Sequence, residues 1–543
     1  MACKARKTRL SVRLETHLTH VRTALVMLFL APGAALATNG PKLVSYGSRA
    51  AGRAGVDYAY ADDGTGPATN PAGMAFVKGN RLDNNWAVIF PNVTWSNQFG
   101  TFDDRDVPFI PVPAFSFGAF FDPNKDWEVG NLFRLGTWGR TKEEREAARR
   151  EAEEEAAARG ETLEQPPILS DEEETFGHRI RFGFGVFPVT GGRVQIRDMR
   201  TAGLSTPVDW ETDTITVAVT PSLAVRLNEY VAIGLSAQVI YSRFELDGGI
   251  AQPSFLLRDD FETAQNILSV NRQIITEADL DDAFTYGGSW RVGLMINPAD
   301  WLSIGLIYQD RTYTADYLGR ATVNANDEVA RLTNGNPALL QVVDPAINPG
   351  QGFVSEYDLR IQDYEFPRMA GLGFAFHLPR ISIGMDYTFI NWDMLRTFKV
   401  RLSGGNNPNL DIMTSPTIRV RVPLRLKDQH VIALGVSVLA LEGAELVEGE
   451  PGWALTLRTG YNYAARAVPR RTTLPQLPII AEHHVSAGFT FAWGPLVEIT
   501  FAWEWALPAE IDVSFHEGDQ VNLSNSKQEV DIMLFHLGLG VRF

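Results

Sequence analysis

The chain has 543 residues, and 49 lysines and arginines against 65 aspartates and glutamates give a formal net charge of −16. This acidic balance argues against a nucleic-acid partner, because a phosphate footprint needs lysine and arginine clustered on one face. No uncharged apolar run of about 18 residues follows the N-terminus, which excludes a membrane protein built from helices and leaves one built from strands allowed.

The first 37 residues have the three parts of a secretory signal peptide. A basic stretch ends at Arg22, an apolar run covers residues 24–30, and small residues lead to Ala37. The alternative is an N-terminal membrane anchor, but the apolar run is too short to span a bilayer. We expect cleavage near Ala37, which also removes Cys3, the only cysteine. The exported chain then has no disulfide framework.

Period-two alternation is repeated along most of the mature chain. From Met533 to Phe543 every second residue is apolar, and His536, Gly538 and Arg542 lie between them. In every such segment the second face is small or polar, with only isolated charges. A soluble β-sandwich would carry many lysines and glutamates there, so the pattern favours a membrane β-barrel with a polar lumen.

Turn signals divide these segments into fourteen predicted strands, an even number that suits a closed antiparallel barrel. Short turns alternate with long connections, which separates the periplasmic end from the extracellular end. The strands are predicted near residues 82–96, 109–121, 178–192, 213–227, 230–245, 284–297, 301–316, 358–377, 380–400, 421–440, 453–468, 483–493, 496–513 and 530–543.

A short repeat marks the start of three outward strands. It reads Val231-Ala232-Ile233-Gly234-Leu235, then Leu302-Ser303-Ile304-Gly305-Leu306, then Ile381-Ser382-Ile383-Gly384-Met385. We interpret it as structural and not as a catalytic loop.

Several segments, in order along the chain, resemble one protein family. They are Gly52-Arg53-Ala54-Gly55, Ala61-Asp62-Asp63, Asn70-Pro71-Ala72-Gly73-Met74, Pro221-Ser222-Leu223-Ala224, Trp290-Arg291-Val292-Gly293-Leu294, Tyr308-Gln309-Asp310-Arg311-Thr312 and Arg458-Thr459-Gly460-Tyr461-Asn462-Tyr463. Together they resemble the long-chain fatty acid outer-membrane transporter family, which includes the aromatic-hydrocarbon channels.

The resemblance implies a barrel (residues 81–543) whose lumen is plugged by an N-terminal hatch (residues 38–80). It further implies a monomer in the bacterial outer membrane that captures hydrophobic ligands outside and releases them sideways into the bilayer. Its partners would be those ligands, outer-membrane lipid and, through the last strand ending at Phe543, the barrel-assembly machinery.

The hatch residues are expected to be structural. Asn before Pro favours an extended turn entry, and a following Gly permits a tight bend. The two aspartates are expected to bond backbone amides or lumenal arginines. The hatch candidates are Asp62, Asp63, Asn70, Pro71, Ala72 and Gly73.

A lateral gate is predicted in the third strand at Pro188, Gly191 and Gly192. Proline cannot donate a ladder hydrogen bond, and the glycines favour a bulge. The alternative is an ordinary strand end with a proline cap.

The two longest outward connections, residues 246–283 and 317–357, contain apolar side chains at roughly helical spacing. The resemblance makes these loops a hydrophobic capture groove, while the alternative is that the side chains pack together to fold the loops. The capture candidates are Phe255, Leu256, Leu257, Ile267, Leu268, Ile274, Leu339 and Leu340.

Asp386 and Arg458 are candidate lumenal charges. Arg458 could pair with Asp386 in a wall network, which is the preferred interpretation, or bond a fatty carboxylate.

Residues 139–175 depart from the family pattern. Thr141 to Arg159 contains only alanine and charged residues after its first position, which predicts a solvated helix in a periplasmic turn. A passive spacer is preferred to a contact with a periplasmic carrier.

No enzyme, cofactor or metal is predicted. His483 and His484 are adjacent on a predicted strand and therefore point to opposite faces, and no nucleophile motif accompanies them. The predicted function is passive outer-membrane uptake of hydrophobic molecules, with long-chain fatty acids preferred. Aromatic or alkane hydrocarbon uptake, or a general porin, are the alternatives.

Overall fold

The structure is a computed structural model of the chain. It describes residues 38–60, 62–77, 79–104, 116–121, 180–201, 206–253, 273–414, 416–447, 450–494, 496–517 and 523–542. The predicted signal peptide (residues 1–37) and the charged insert (residues 139–175) lie outside these ranges.

Fourteen antiparallel strands form one closed barrel, which confirms the predicted fold class. The ring closes between the last and the first strand, from Lys527 opposite Ser96 to Arg542 opposite Arg81. The strands are β1 (Arg81–Asn97), β2 (Gly100–Asp103 and Ser116–Phe121), β3 (Ile180–Met199), β4 (Val208–Val219 and Ser222–Arg226), β5 (Val231–Pro253), β6 (Gln273–Ala299), β7 (Leu302–Gln309, Tyr313–Thr314 and Tyr317–Asn324), β8 (Val354–Gln362 and Met369–His377), β9 (Ile381–Ile390 and Thr397–Ser403), β10 (Thr417–Pro423 and Gln429–Glu442), β11 (Trp453–Ala464), β12 (His483–Trp493), β13 (Val497–Val513) and β14 (Ser526–Arg542).

The outward face of the barrel is apolar and exposed. Val239 and Tyr286, for example, are 59% and 63% exposed, whereas the inward Ser236 and Gly234 are buried. This is the reverse of a soluble core and is what a lipid-facing wall requires.

Two rows of outward aromatic rings bound the apolar band. The row at the long-loop end includes Tyr241, Tyr286, Tyr313, Tyr387 and Tyr461, and the row at the short-turn end includes Trp301, Phe376, Trp453 and Trp493. The rings pack across strands, as in Tyr241–Tyr286, whose centroids are 5.4 Å apart. Such rows mark the two interfaces of a bilayer.

Strands β4 to β10 continue beyond the long-loop aromatic row, and we call these stretches the outer extensions. The predicted long connections are therefore too long. Residues 246–253 and 273–283 belong to β5 and β6, and both Tyr317–Asn324 and Val354–Gln362 are paired strand segments. The outward acids of this region, such as Asp279 and Asp281, made it look like a loop in the sequence.

The helices among the described residues are short. Asn326–Leu332, Leu340–Val343 and Pro408–Met413 lie in the long loops, and Ser48–Ala51 lies in the hatch. The 3-10 turns are Pro71–Phe76, Pro337–Leu339, Pro349–Gln351, Trp392–Met394 and Arg470–Thr472. Among the described residues, no helix is long and apolar enough to cross a membrane.

The N-terminal segment packs inside the barrel. A short hairpin (Thr38–Asn39 with Lys42–Leu43) leads into the helix, and the 3-10 turn Pro71–Phe76 follows. The hatch backbone lies directly on inward glycines of the wall: a Cβ at Gly234 would collide with Ala72, and a Cβ at Gly305 would collide with Tyr58. At Gly384 a Cβ would meet Tyr60 and Val56. These are the glycines of the three-fold sequence repeat.

Candidate functional site

Ion pairs hold the centre of the hatch. Arg53 contacts Asp57 at 3.0 Å and Asp62 at 2.8 Å, and Arg49 contacts Asp62 at 3.4 Å. Arg49 also pairs with Glu498 on β13 and so ties the hatch to the wall. Asp62 was predicted to bond backbone or lumenal arginines, but its partners are the arginines of the hatch itself.

The Asp63 side chain forms hydrogen bonds within its own segment of the hatch. Its Oδ1 accepts hydrogen bonds from the backbone N–H and the hydroxyl of Thr65. Burial and the adjacent Asp62 raise the pKa of Asp63. Both aspartates therefore act in folding the plug, in line with the structural interpretation.

The Asn70-Pro71-Ala72-Gly73 element is a docking turn. Asn70 Oδ1 accepts from the Ala72 N–H at 3.1 Å, which caps the 3-10 turn that starts at Pro71. Asn70 Nδ2 donates to the Tyr58 carbonyl at 2.8 Å and to the Leu294 carbonyl of β6 at 3.3 Å. The element fixes the end of the hatch against β5 and β6.

Asp386 on β9 bonds the backbone of the hatch and does not pair with Arg458. Its Oδ2 accepts the backbone N–H groups of Asp57 at 2.7 Å and Tyr58 at 2.9 Å. Asp386 lies in the cross-strand row of Ala433 and Asn462, four residues along β11 from Arg458. Arg458 instead donates to Thr490. The predicted pair is wrong because the two side chains are two strands apart and are also offset by four residues along the strand direction, which alone is about 13 Å.

The ladder of β3 is interrupted at Pro188. Pro188 pairs with Val217 and Thr190 with Thr216, so Val189 forms a bulge on the β4 side. On the other side, β2 pairs with β3 only up to Phe117 opposite Val186 within the described residues. Gly191 and Gly192 resume the ladder with β4.

The N-terminal hairpin of the hatch lies against this interruption. The Thr190 hydroxyl donates to the Pro41 carbonyl. The ring of Tyr46 packs edge-on against Phe187, with centroids 6.2 Å apart. A movement of the hairpin would therefore act directly on the irregular part of β3.

A lower cavity lies between the hatch and the wall, and Lys42 and Arg291 both line it. Arg291 donates to Gln309 and to the Thr69 carbonyl, while Lys42 contacts the sulfur of Met369. Neither cation forms an ion pair with another described residue. Burial, and then repulsion by Arg291, hold the pKa of Lys42 well below its usual range. Asp57 and Asp386 also line this cavity, but each is already bonded to the hatch. An anionic group beside Lys42 would offset both effects on its pKa.

An upper cavity of about 140 Å³ lies between the outer extensions. Its wall is largely aromatic and aliphatic, with Phe244 and Phe398 at a centroid distance of 5.3 Å and Tyr364 and Phe398 at 5.6 Å. Gln476, His516 and Glu517 supply polar groups from two loops, and Thr212 and Arg421 supply polar groups from strands. Such an apolar chamber with few polar groups is the usual form of a hydrophobic-ligand site.

The predicted capture residues have a different placement. Leu340 is fully buried with Val329, Ile347, Phe353 and Met413, and Leu339 packs against the same cluster, which is the loop-folding alternative. Ile274 belongs to β6, a strand and not a loop. Phe255, Leu256, Leu257, Ile267 and Leu268 lie outside the described residues.

Of the residues that line the two cavities, Asp386 in the lower one was predicted as a site residue, and the others were missed in the sequence. A large ring such as Phe244 or Phe398 on the otherwise small inward face is the signal that could have identified the upper cavity. Lys42 lies in a strand of only two residues, which is too short to show a periodic pattern, so its position could not have been inferred.

The family model described as outer membrane protein transport protein (OMPP1/FadL/TodX) matches residues 30–543. No curated protein matches the sequence.

Among solved structures, the toluene transporter TodX of Pseudomonas putida is similar at 17% identity and a TM-score of 0.62, over 93% of this chain and 100% of that one. The toluene transporter TbuX of Ralstonia pickettii is similar at 14% identity and 0.60, over 92% and 99%. A FadL homologue of Pseudomonas aeruginosa has 14% identity and 0.58, over 93% and 100%. At these identities the likeness is one of fold.

Proposed function

The chain belongs to the outer membrane protein transport family (OMPP1/FadL/TodX), and from that premise we propose that it takes up long-chain fatty acids passively across the outer membrane. The observation that carries the proposal is the upper apolar cavity above a lumen filled by the hatch. An acyl chain gains roughly 0.8 kcal/mol for each CH₂ that leaves water, so an apolar chamber suffices to capture it.

Two further features support a fatty acid as the ligand that passes through the barrel. Lys42 and Arg291 line the lower cavity without an acidic partner among the described residues, and a fatty carboxylate would accept charge-assisted hydrogen bonds from them. The break in β3 at Pro188 lies beside the hatch hairpin, where a ligand could leave sideways into hydrocarbon instead of water.

Aromatic hydrocarbons are a second candidate. The ring cluster of Phe244, Tyr364 and Phe398 favours them, because aromatic pairs gain energy beyond their buried area. A general porin is disfavoured, since the hatch backbone fills the space against the inward glycines.

The test is uptake of radiolabelled oleate and toluene by cells that carry this protein as their only such transporter. Lys42→Met is compared with wild type and with Lys427→Met, which removes an exposed lysine. Fatty acid transport predicts that Lys42→Met lowers oleate uptake several-fold and leaves toluene uptake unchanged. Toluene uptake without oleate uptake in wild type would favour the hydrocarbon candidate, and uptake of neither would contradict both.

A further inference from the structure

Five basic side chains form a patch on the outward face of the outer extensions of β8, β9 and β10. We call Arg360, Lys399, Arg401, Arg419 and Arg421 the basic patch. Arg360, Arg401 and Arg419 lie directly opposite one another in one cross-strand row, and Lys399 and Arg421 are opposite in the next. Their neighbours Leu359, Val400 and Leu402 point inward and are buried, so the basic side chains face outward.

This arrangement is unfavourable without a ligand. Like charges directly opposite each other across strands repel. Arg360 contacts Asp316 at 3.6 Å and Lys399 contacts Asp363 at 2.5 Å. Arg401, Arg419 and Arg421 form no ion pair with another described residue, and the buried Nε of Arg401 has no hydrogen-bond partner.

The basic patch is local. In the row next to it on the same face, Asp358 stands opposite Arg320 and Ser403. Farther round the barrel, the outer extensions of β4 to β6 carry a row of acids, Glu211, Asp247 and Asp279. In a chain of net charge −16, positive charge is therefore concentrated at one side.

The height of the basic patch indicates what it meets. Tyr313 of the outer aromatic row is 50% exposed, and Leu318, five residues further along β7, pairs with Arg360. Their partners on β6, Gly288 and Phe284, are four residues apart, about 13 Å along a tilted strand or roughly 10 Å in height. The basic patch therefore lies above the hydrocarbon, at the level of the lipid headgroups of the outer leaflet.

We propose that the basic patch binds the phosphorylated saccharide headgroup of lipopolysaccharide. Arginine forks donate paired, charge-assisted hydrogen bonds to phosphate oxygens, and adjacent guanidinium groups suit a headgroup that carries more than one phosphate. A lipid anchored in the leaflet presents these phosphates beside the wall. The proposal depends on the outer-membrane location and not on the transported molecule.

Native mass spectrometry of the detergent-solubilised full chain tests this binding. The probes are lipid A with both phosphates, enzymatically dephosphorylated lipid A, and inorganic phosphate as a competitor. The triple variant Arg401→Gln, Arg419→Gln, Arg421→Gln is expected to lower the affinity for phosphorylated lipid A by at least about tenfold. The dephosphorylated lipid is expected to bind wild type and variant alike.

The matched control removes three cations from β3, β5 and β14, each of which has a carboxylate partner: Arg193→Gln, Arg243→Gln and Lys527→Gln. It should retain wild-type affinity. Equal losses in both triple variants would overturn the proposal, as would displacement of lipid A by millimolar phosphate, which would indicate a free-anion site. Heat-modifiable gel migration checks folding, and the single variants Arg401→Gln and Arg419→Gln replace the triple variant if it does not fold.

Discussion

At the scale of single residues, the inward glycines explain how a plug and a barrel fit together. Gly234, Gly305 and Gly460 lie under the backbone of Ala72, Tyr58 and Arg53, where any side chain would occupy the same space. The inward side chains of the wall are therefore small for two reasons. They line a lumen, and they allow the hatch backbone to approach the wall closely.

Gly305→Ala is expected to weaken hatch packing. The new Cβ would collide with the Tyr58 carbonyl, so the hatch or β7 must shift at a cost of about 1–3 kcal/mol. Thermal unfolding in detergent should show a lower Tm, and small polar solutes should leak into cells that carry the variant. Gly350→Ala, in an outer loop with only an ordinary contact to Asn348, is the control. Unchanged stability and no leakage in Gly305→Ala would contradict the packing argument.

The sequence predicts the barrel far better than it predicts the cavities. Alternation locates a strand because every second residue faces lipid, and this held from Met533 to Arg542. It does not reveal which inward residues meet, since Asp386 and Arg458 share a face yet lie in rows four residues apart. That pairing depends on strand register, which the pattern along a single strand does not encode.

At the scale of elements, the irregular part of β3 is the place where we propose that a ligand leaves the barrel. Val189 bulges on the β4 side, and both Val189 and Thr190 are buried, so the inward parity shifts at this point. A bulge there bends the strand and leaves ladder groups unpaired.

Pro188→Val is expected to reduce uptake while the barrel stays folded. Valine restores an N–H donor and a residue that suits a continuous strand, which would favour closure of the wall. Uptake of the transported substrate should fall, with unchanged heat-modifiable migration. The control is Pro508→Val, which alters another bulge, between Ala506 and Ala509 of β13. Equal uptake by both variants and wild type would contradict a gate at Pro188.

The acidic row across β4 to β6 makes the stability of the outer extensions depend on pH. Burial, followed by the charge of Asp279, raises the pKa of Asp247 to about 7. Burial and Glu277 raise that of Asp279 to about 6. Since an unfolded aspartate has a pKa of about 3.9, the folded state binds more protons. Stability should therefore rise as pH falls from about 7 towards 4.

Asp247→Asn removes this dependence in part. The variant should have a higher Tm than wild type at pH 8, and the difference should vanish at pH 4, where both side chains are neutral in wild type. Thermal unfolding followed between these pH values measures it. Asp358→Asn, on the outward face of β8, is the control. A difference of the same size at both pH values would rule out protonation of Asp247 as its cause.

At the scale of the whole molecule, the barrel and the hatch stabilise each other through contacts on several sides of the lumen. Glu498 on β13, Asp386 on β9 and Leu294 on β6 each bond a different part of the hatch.

Deletion of residues 39–77 should leave a folded barrel with an open aqueous lumen, because the wall ladder closes without the hatch. In planar bilayers, we expect stable ion conductance from the deletion variant and none from the intact protein. A deletion variant that folds, as judged by heat-modifiable migration, but does not conduct would show that another segment blocks the lumen. Conductance by the intact protein would instead support the porin alternative.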